Sequence, residues 1–137
     1  DEAKKSGVIL ALENLPRTCL GNTSKEMADL LDATGTGFVF DTNHSLMEDN
    51  TSFLSYMIER GYCPVSLHIS DYDLVDERHD LPGYGKNGWR RLLGLLKKAG
   101  YQGPALYEPA MYHMSGERIA LEEVGQNICE LLKGTIP

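Results

Sequence analysis

Four short apolar runs in this chain each end on a side chain that can bind a metal ion: Glu13, Asp41, His68 and Glu108. A segment with helical periodicity follows each run, so the sequence repeats a strand, a loop and a helix. Strands joined by helices run parallel, and the carboxyl ends of parallel strands meet at one rim of the sheet. We therefore expect these side chains, which are distant in sequence, to lie together at that rim.

Capping and turn residues indicate where each unit begins and ends. A capping box, in which a threonine is followed three residues later by a glutamate, opens the first long helix, and glycines follow the helical segments. The polar, glycine-rich segment 70–88 is too long for an ordinary connection, which indicates a functional loop. We predict strands over 7–13, 37–41, 65–69 and 105–108, and helices that begin near Thr23, Thr51, Trp89 and Ser115.

The composition predicts one globular domain, which we place at residues 1–137. The chain has 137 residues, 42% of them hydrophobic, and a formal net charge of −7. That is enough apolar material for a core. The acidic balance argues against broad affinity for nucleic acids or anionic membranes. No apolar run approaches the roughly 20 residues of a membrane span, and no charged leader precedes an apolar core, so we expect a soluble, cytoplasmic protein.

Four strand-helix units are too few for a closed parallel barrel, which needs eight. The opening residues look like the tail of a helix that leads into a strand, so the fold class predicted is α/β, the C-terminal half of a parallel (β/α) barrel. The outer edges near 8–12 and 105–107 would then carry unpaired backbone groups. Two copies related by a two-fold axis could pair those edges, so we expect a homodimer or higher oligomer.

Several motifs in a fixed order carry a resemblance to a known family: ALEN at 11–14, FDTNH at 40–44, LHISD at 67–71, ERHDLPGYGKNGW at 77–89 and GYQGPALYE at 100–108. Together they resemble the sugar isomerase/epimerase superfamily, the xylose isomerase-like TIM barrels. The resemblance covers nearly the whole chain and corresponds to the last four βα units of that barrel.

The resemblance implies a metal site and a substrate contact. In the ketose 3-epimerase branch, one divalent metal, usually manganese, cobalt or magnesium, is bound by residues that match Glu13, Asp41, His68 and Glu108. The residue that matches His44 contacts the substrate in that branch. These residues imply a small-molecule sugar as the partner of the site.

The chemistry of these side chains agrees with that implication. Three carboxylates and one imidazole suit a hard or borderline divalent ion, which could polarise a sugar carbonyl and stabilise a cis-enediolate. Two glutamates on opposite sides of such an intermediate can act as base and acid, and Glu13 and Glu108 are the predicted catalytic pair. By resemblance to the epimerases, moving the proton between faces inverts a carbinol centre, and moving it to the neighbouring carbon isomerises an aldose and a ketose. We expect a metal-dependent isomerase or epimerase of a sugar or sugar phosphate.

Other polar residues near the predicted rim are candidates for substrate binding: His44, Asn14, Arg17 and His79. The spacing of His44, three residues after a proposed ligand, favours a functional role. Epimerases commonly carry a second acid and an arginine where this chain has Cys19 and Leu74. This chain therefore lacks those two side chains for direct contact with the substrate hydroxyls.

Two further interpretations stay open. Glu77 and His79, followed by LPGYG, also resemble endonuclease IV, a related barrel that hydrolyses DNA at abasic sites and binds additional zinc through the matching residues and the one matching His44. The acidic charge and the lack of interleaved basic and aromatic residues argue against a nucleic-acid partner. That nuclease also needs two histidine ligands from the first half of the barrel. The third interpretation is a non-catalytic half-barrel that binds a metal or a partner.

Overall fold

The computed structural model describes residues 2–137, in which four parallel strands alternate with helices. The strands are β1 (Ala11–Glu13), β2 (Gly37–Asp41), β3 (Ser66–Ile69) and β4 (Ala105–Tyr107). The helices are α1 (Glu2–Lys5), α2 (Ser24–Thr34), α3 (Asn50–Glu59), α4 (Trp89–Lys98) and α5 (Leu121–Lys133). The sheet order β1-β2-β3-β4 follows the chain, and all three pairs are parallel. The predicted parallel half-barrel is confirmed.

Side-chain caps determine where α2 and α3 begin. Thr23 accepts a hydrogen bond from the backbone N–H of Glu26 at 3.3 Å, and the Glu26 carboxylate reaches back to the backbone just before the cap. This is the predicted capping box, which satisfies N–H groups that a helix start leaves without partners. Asp49 caps α3 by accepting from the N–H groups of Thr51 and Ser52, both at 3.0 Å. Both helices are therefore anchored at the end that faces the rim.

The core lies between the sheet and the helices that cover its outer face. Phe38 and Phe40 on β2 are fully buried and pack against the equally buried Phe53 of α3. The ring centroids of Phe53 lie 6.1 Å from Phe38 and 5.7 Å from Phe40, at stacked angles. Because side chains alternate along a strand, packing Phe38 and Phe40 outward turns Asp41 to the inner face.

Strand register places the candidate ligands on that inner face. Asp41 is aligned with His68, His68 with Leu106, and Glu13 with Val39. Aligned residues of neighbouring parallel strands point to the same face of the sheet. The sheet therefore presents its candidate ligands together near the carboxyl ends of the strands.

The first strand is shorter than the predicted 7–13 and begins at Ala11. Its pairing with β2 starts where the Leu10 carbonyl accepts from the N–H of Gly37 at 2.8 Å. Val8 and Ile9 precede that first bond and are exposed. The apolar run therefore begins before the strand does, because β2 offers no backbone partner to Val8 and Ile9.

The predicted start of the last helix near Ser115 is wrong, and α5 begins at Leu121. Residues 111–119 instead fold into a small hairpin closed by an antiparallel bridge between Tyr112 and Arg118. That hairpin uses the backbone groups that a helix would need. With 13 residues, α5 is the longest helix of the described chain, and none within residues 2–137 has the length and apolar character needed to cross a membrane.

Candidate metal centre

Three strand-end side chains converge at the rim of the sheet. Glu13 and Asp41 are the last residues of β1 and β2, and His68 is next to last in β3. One ligand atom from each residue lies within 4.8 Å of the other two. His68 Nδ1 is 3.4 Å from Glu13 Oε1 and 3.6 Å from Asp41 Oδ2. The parallel register thus brings three of the four predicted ligands together.

The fourth predicted ligand, Glu108, borders the same imidazole. It directly follows β4, and its backbone N–H donates to the Ile69 carbonyl at 2.9 Å, which continues the ladder with β3. Its Oε1 atom lies 3.6 Å from His68 Nδ1. His68 is therefore the side chain around which all three carboxylates gather.

The spacing of Glu13, Asp41 and His68 and the chemistry of all four side chains fit one divalent cation; Glu108 lies outside the group whose ligand atoms are all within 4.8 Å of one another. Ligand atoms about 2.1 Å from a common tetrahedral ion lie roughly 3.4 Å apart. The separations between His68 Nδ1 and the three carboxylates are 3.4, 3.6 and 3.6 Å. Three carboxylates and one imidazole form an oxygen-rich donor set that suits manganese, magnesium, cobalt or zinc.

His44 lies beside these ligands, inside the rim. Its Nδ1 atom is 3.0 Å from the Asn14 carbonyl oxygen, 3.3 Å from Glu13 Oε1 and 3.6 Å from Asp41 Oδ2. Its Nε2 atom lies 3.6 Å from Glu77 Oε1. The residue predicted to contact substrate is thus held between the candidate ligands and the 70–88 loop.

The charges of the centre perturb one another. Burial raises the pKa of Asp41 to about 6, against the opposing charge of His44. The hydrogen bond with His44 lowers the pKa of Glu13, although burial opposes that shift. Burial by itself lowers the pKa of His44, but the bond to Glu13 and the charge of Asp41 outweigh it and raise that pKa to about 9. Without a metal, Glu13 and Asp41 therefore favour the positively charged form of the His44 ring.

Asn14 and Arg17 make contacts with the protein rather than projecting freely into the rim. Asn14 is buried; its Nδ2 donates to the Asp41 carbonyl at 2.9 Å, and its Oδ1 accepts from the Asp41 N–H at 2.8 Å. Arg17 forms ion pairs with Asp76 at 2.8 Å and Glu77 at 3.7 Å. Asn14 thus braces β1 against β2, and Arg17 ties the β1 loop to the 70–88 loop. Their contacts with substrate stay predictions.

His79 connects the 70–88 loop to the last strand. Its Nδ1 atom lies 3.0 Å from the Glu108 carbonyl oxygen and 3.3 Å from Ser70 Oγ, and its ring centroid lies 6.4 Å from that of His44. A histidine that donates Nδ1–H to a carbonyl leaves Nε2 for another partner. Its substrate contact stays a prediction.

Asn43 is an organising residue that sequence reasoning missed. Its backbone N–H donates to Asp41 Oδ1 at 2.7 Å, and its buried Oδ1 accepts from the N–H groups of Arg78 at 3.1 Å and His79 at 3.4 Å. It thereby orients a candidate ligand and a loop histidine at once. The available signal was its position inside FDTNH, between two residues that the sequence did single out.

Asp71, just after β3, is the second residue that sequence reasoning missed. This fully buried carboxylate accepts four hydrogen bonds: Oδ1 from the N–H groups of Tyr72 and Asn87 at 2.9 and 3.0 Å, and Oδ2 from Gly83 N–H and Trp89 Nε1, both at 2.8 Å. Four donors compensate the loss of hydration. Asp71 thereby folds the 70–88 loop back onto the strand end and fixes the segment that carries His79.

A family model shows which family of proteins this chain belongs to. The model described as xylose isomerase-like TIM barrel matches residues 1–127. The chain belongs to this family. The match includes every strand and all of the candidate ligands.

Known proteins resemble this family member over part of their length. It is 28% identical over 107 residues to an uncharacterised protein of Methanocaldococcus jannaschii, a match covering 74% of this chain and 36% of that protein. A D-tagatose 3-epimerase-like protein superposes with a TM-score of 0.74 and 22% identity, over 97% of this chain and 49% of that one. D-psicose 3-epimerase in the presence of D-fructose superposes with a TM-score of 0.71 and 20% identity, over 96% of this chain and 49% of that one. The 3-keto-D-glucoside 4-epimerase of E. coli superposes with a TM-score of 0.69 and 20% identity, over 96% of this chain and 48% of that one.

These likenesses to solved structures show the shared barrel fold. This xylose isomerase-like chain spans about half the length of the solved structures it matches. The four strands described here therefore correspond to half of the barrel in those proteins.

Proposed function

We propose that this xylose isomerase-like half-barrel carries the metal-binding and proton-transferring residues of a divalent-metal-dependent isomerase or epimerase of a sugar or sugar phosphate. The observation that supports this most directly is the convergence of Glu13, Asp41 and His68, whose ligand atoms lie within 4.8 Å of one another. A sugar offers an adjacent carbonyl and hydroxyl that can complete the coordination of such an ion. The similarity in fold to D-psicose 3-epimerase agrees with that chemistry.

Glu13 and Glu108 are the proposed base and acid. They come from the two edge strands, so a substrate bound over His68 would lie between them. Glu13 would remove a proton from the carbon next to the carbonyl to give a cis-enediolate, and Glu108, protonated at the start, would deliver its own proton. Delivery to the opposite face inverts that carbon, and delivery to the neighbouring carbon interconverts an aldose and a ketose. When bound, the cation supplies Lewis-acid polarisation of the substrate carbonyl.

His44 and His79 are the proposed substrate contacts. His44 directs Nδ1 at the Asn14 carbonyl at 3.0 Å, and its Nε2 lies on the side of the 70–88 loop. An imidazole N–H can donate to a hydroxyl or carbonyl oxygen of a substrate. His79 directs Nδ1 at the Glu108 carbonyl, which makes Nε2 the nitrogen for substrate.

Metal binding tests the first half of the proposal. Isothermal titration with manganese should give a one-to-one stoichiometry, and Asp41→Asn and Glu108→Gln should each weaken binding by tenfold or more, about 1.4 kcal/mol. Glu59→Gln, which changes an exposed acid on α3, is the matched control and should bind like the parent. Equal affinities of the parent and Glu108→Gln would overturn the assignment of that ligand.

Solvent hydrogen exchange tests the reaction class. In D₂O, the metal-loaded protein should exchange the hydrogen next to the carbonyl of a substrate ketose, and Glu13→Gln should abolish the exchange while circular dichroism stays unchanged. Glu59→Gln should retain it. Metal binding without exchange would instead support the non-catalytic half-barrel.

One observation favours phosphodiester hydrolysis as a second candidate function. Glu77 Oε1 lies 3.6 Å from His44 Nε2, and the rings of His44 and His79 lie 6.4 Å apart. These are the residues whose counterparts bind additional zinc in the endonuclease that the 70–88 loop resembles. Cleavage of abasic duplex DNA by the zinc-loaded protein, without any sugar turnover, would establish this function in place of the isomerase.

The assembly that completes the sheet is also a proposal. Within residues 2–137 no strand pairs with the outer edge of β1 or β4, and apolar side chains on or beside these strands, including Leu10 and Leu106, are exposed. We propose that two copies pair β1 of one with β4 of the other, which supplies partners for the unpaired backbone groups and covers these side chains. Sedimentation equilibrium should show a dimer that Leu106→Glu weakens, whereas Met47→Glu, at an exposed methionine of the β2-α3 loop, should not. A stable monomer at micromolar concentration would exclude this assembly.

A further inference from the structure

A cavity of about 570 Å³ lies between the 70–88 loop and the 111–119 hairpin. The hairpin is held by hydrogen bonds from the N–H of Ile119 to the Met111 carbonyl at 3.0 Å and from the N–H of His113 to the Glu117 carbonyl at 2.8 Å. The facing wall belongs to the loop that the buried Asp71 anchors. Both walls are therefore fixed by bonds within the chain.

An aromatic ring with a fixed orientation lines this cavity. The Tyr84 ring packs against the His113 ring, with centroids 5.2 Å apart and planes at 29°. The Tyr84 hydroxyl donates to Glu123 Oε1 at 3.0 Å, and His113 Nε2 lies 2.9 Å from the same oxygen. Tyr84 nevertheless remains 61% exposed. A large aromatic surface is thus held in place by two side chains and still open to a ligand.

The polar groups around the ring favour a neutral ligand rich in hydroxyls. Asp80 and Glu117 line the cavity with Tyr84, the Arg78 guanidinium there is paired with Asp73 at 2.6 Å, and the Glu123 carboxylate is already bound to both rings. Carboxylates repel an anion and accept hydrogen bonds from hydroxyl groups. A pyranose ring presents hydroxyls at its rim and a flat face of C–H bonds that packs on an aromatic ring. The cavity therefore has the acceptors and the apolar face that such a ring needs.

The backbone connects this cavity to the candidate centre. Arg78 and Asp80, which line the cavity, flank His79 in sequence. The His79 carbonyl accepts from the Ala110 N–H at 2.6 Å, and His79 Nδ1 lies 3.0 Å from the Glu108 carbonyl. A ligand in the cavity would therefore touch the two residues on either side of His79, which bonds to the Glu108 carbonyl.

We propose that the cavity beside Tyr84 and His113 binds a second, non-reacting sugar ring, so that the substrate of this site is a glycoside or disaccharide rather than a free monosaccharide. The assignment of a substrate class rests on the proposed isomerase or epimerase function. Binding of the second ring involves Tyr84, Asp80 and Glu117 and does not require the metal.

The test uses a probe that only the second site should recognise. Methyl β-D-glucopyranoside has no free carbonyl, so it cannot undergo the proposed reaction. In the chelator-treated protein, titration with this glycoside should shift the imidazole NMR signals of His113 in a saturable way. Tyr84→Ala should weaken binding about tenfold, whereas Tyr84→Phe, which keeps the ring, should stay within about threefold of the parent. Asp80→Asn should weaken it less than Tyr84→Ala.

The outcomes separate this proposal from the proposed function. No saturable shift of the His113 signals, or equal affinities of Tyr84→Ala and Tyr84→Phe, would overturn the sugar subsite even if metal binding and hydrogen exchange succeed. A shift produced by tetramethylammonium and not by the glycoside would also overturn it and identify a cation site on the Tyr84 ring. Glycoside binding without any hydrogen exchange would support the sugar subsite and overturn the proposed isomerase or epimerase function.

Discussion

The two central strands and the two edge strands of the sheet differ in how completely they are covered. On β3, the outward-facing Leu67 and Ile69 are 4% and 5% exposed, whereas their register partners on edge strand β4, Ala105 and Tyr107, are exposed and half-buried. All four belong to comparable apolar runs in the sequence. The number of neighbouring elements, and not the apolar character of a strand, therefore determines its burial.

The same difference divides the candidate metal centre. The Asp41 side chain, from central strand β2, is 1% exposed and His68, from central strand β3, is 22% exposed, whereas Glu13 and Glu108, from the edge strands, are 29% and 30% exposed. A ligand surrounded by packed neighbours is held in one orientation, and a more exposed ligand loses less rotamer freedom on folding. The centre thus joins a buried ligand from the interior of the sheet with partly exposed ones from its edges.

The largest expected effect tests burial in the centre against burial at the edge. Phe40→Ala removes a ring packed between β2 and α3 and should lower the free energy of unfolding by about 3–5 kcal/mol, measured by urea denaturation. Leu106→Ala should cost less than about 1 kcal/mol at dilutions where sedimentation shows a single chain. Equal costs under those conditions would show that the inner face is already covered, and the comparison would fail.

A smaller effect is expected at the polar anchor of β3. Asp71→Asn places an amide where four N–H donors converge, so two of them lose their acceptor, and the loss should be about 3 kcal/mol. Asp76→Asn removes one exposed ion pair with Arg17 and should cost less than about 1 kcal/mol. Thermal unfolding of both variants checks this, and a tolerated Asp71→Asn would contradict the role given to this carboxylate.

The pKa of His44 should depend more on Glu13, from edge strand β1, than on Asp41, from central strand β2. In chelator-treated protein, NMR titration should give a pKa of about 9, and Glu13→Gln should lower that pKa more than Asp41→Asn, because Glu13 makes the direct bond. Adding zinc should lower the pKa of His44 through charge repulsion. The reverse order of the two variants would place the electrostatic control in the central strand.

The sign of the resulting pH dependence follows from the direction of that shift. Since folding raises the pKa of His44 from 6.5 to about 9, its contribution to stability is fully present below pH 6.5 and is lost as the pH rises through 9. His44→Gln should abolish this part of the pH dependence in the metal-free protein.

The smallest expected effect compares two helix caps. Asp49→Ala on α3 should cost about 1 kcal/mol, and Thr23→Ala on α2 should cost less, since Thr23 accepts one bond at 3.3 Å and Asp49 accepts two from backbone at 3.0 Å. The hydrogen bond from Ser52 lowers the pKa of Asp49 below 3.8, so its contribution is present above that pH and is lost as the pH falls through the lower folded value. Asp49→Asn keeps a cap and should lose that pH dependence, which acid unfolding measures.

Much of the fold could be predicted because it depends on short-range signals. The capping residues, the stop glycines and the spacing of apolar residues act within one element, and they gave the strand-helix alternation and the placement of Glu13, Asp41, His68 and Glu108 at one rim. The predicted helix start near Ser115 was wrong because the structure of residues 111–119 does not depend on such short-range signals. The Tyr112–Arg118 bridge depends on pairing across a turn, which helical periodicity does not register.

The sequence by itself determined the order of the units and the order of the candidate ligands. The reason is that nearly every topology of parallel strands joined by helices brings the four strand ends together. Only the tertiary structure decided what holds those ligands. Asn14 is a brace between strands, Asn43 orients Asp41, and Asp71 collects N–H groups from four separate positions. The physical reason is that a buried polar group is stabilised by whichever donors the folded chain brings within about 3 Å, and that set of neighbours exists only after the strands, loops and helices have packed.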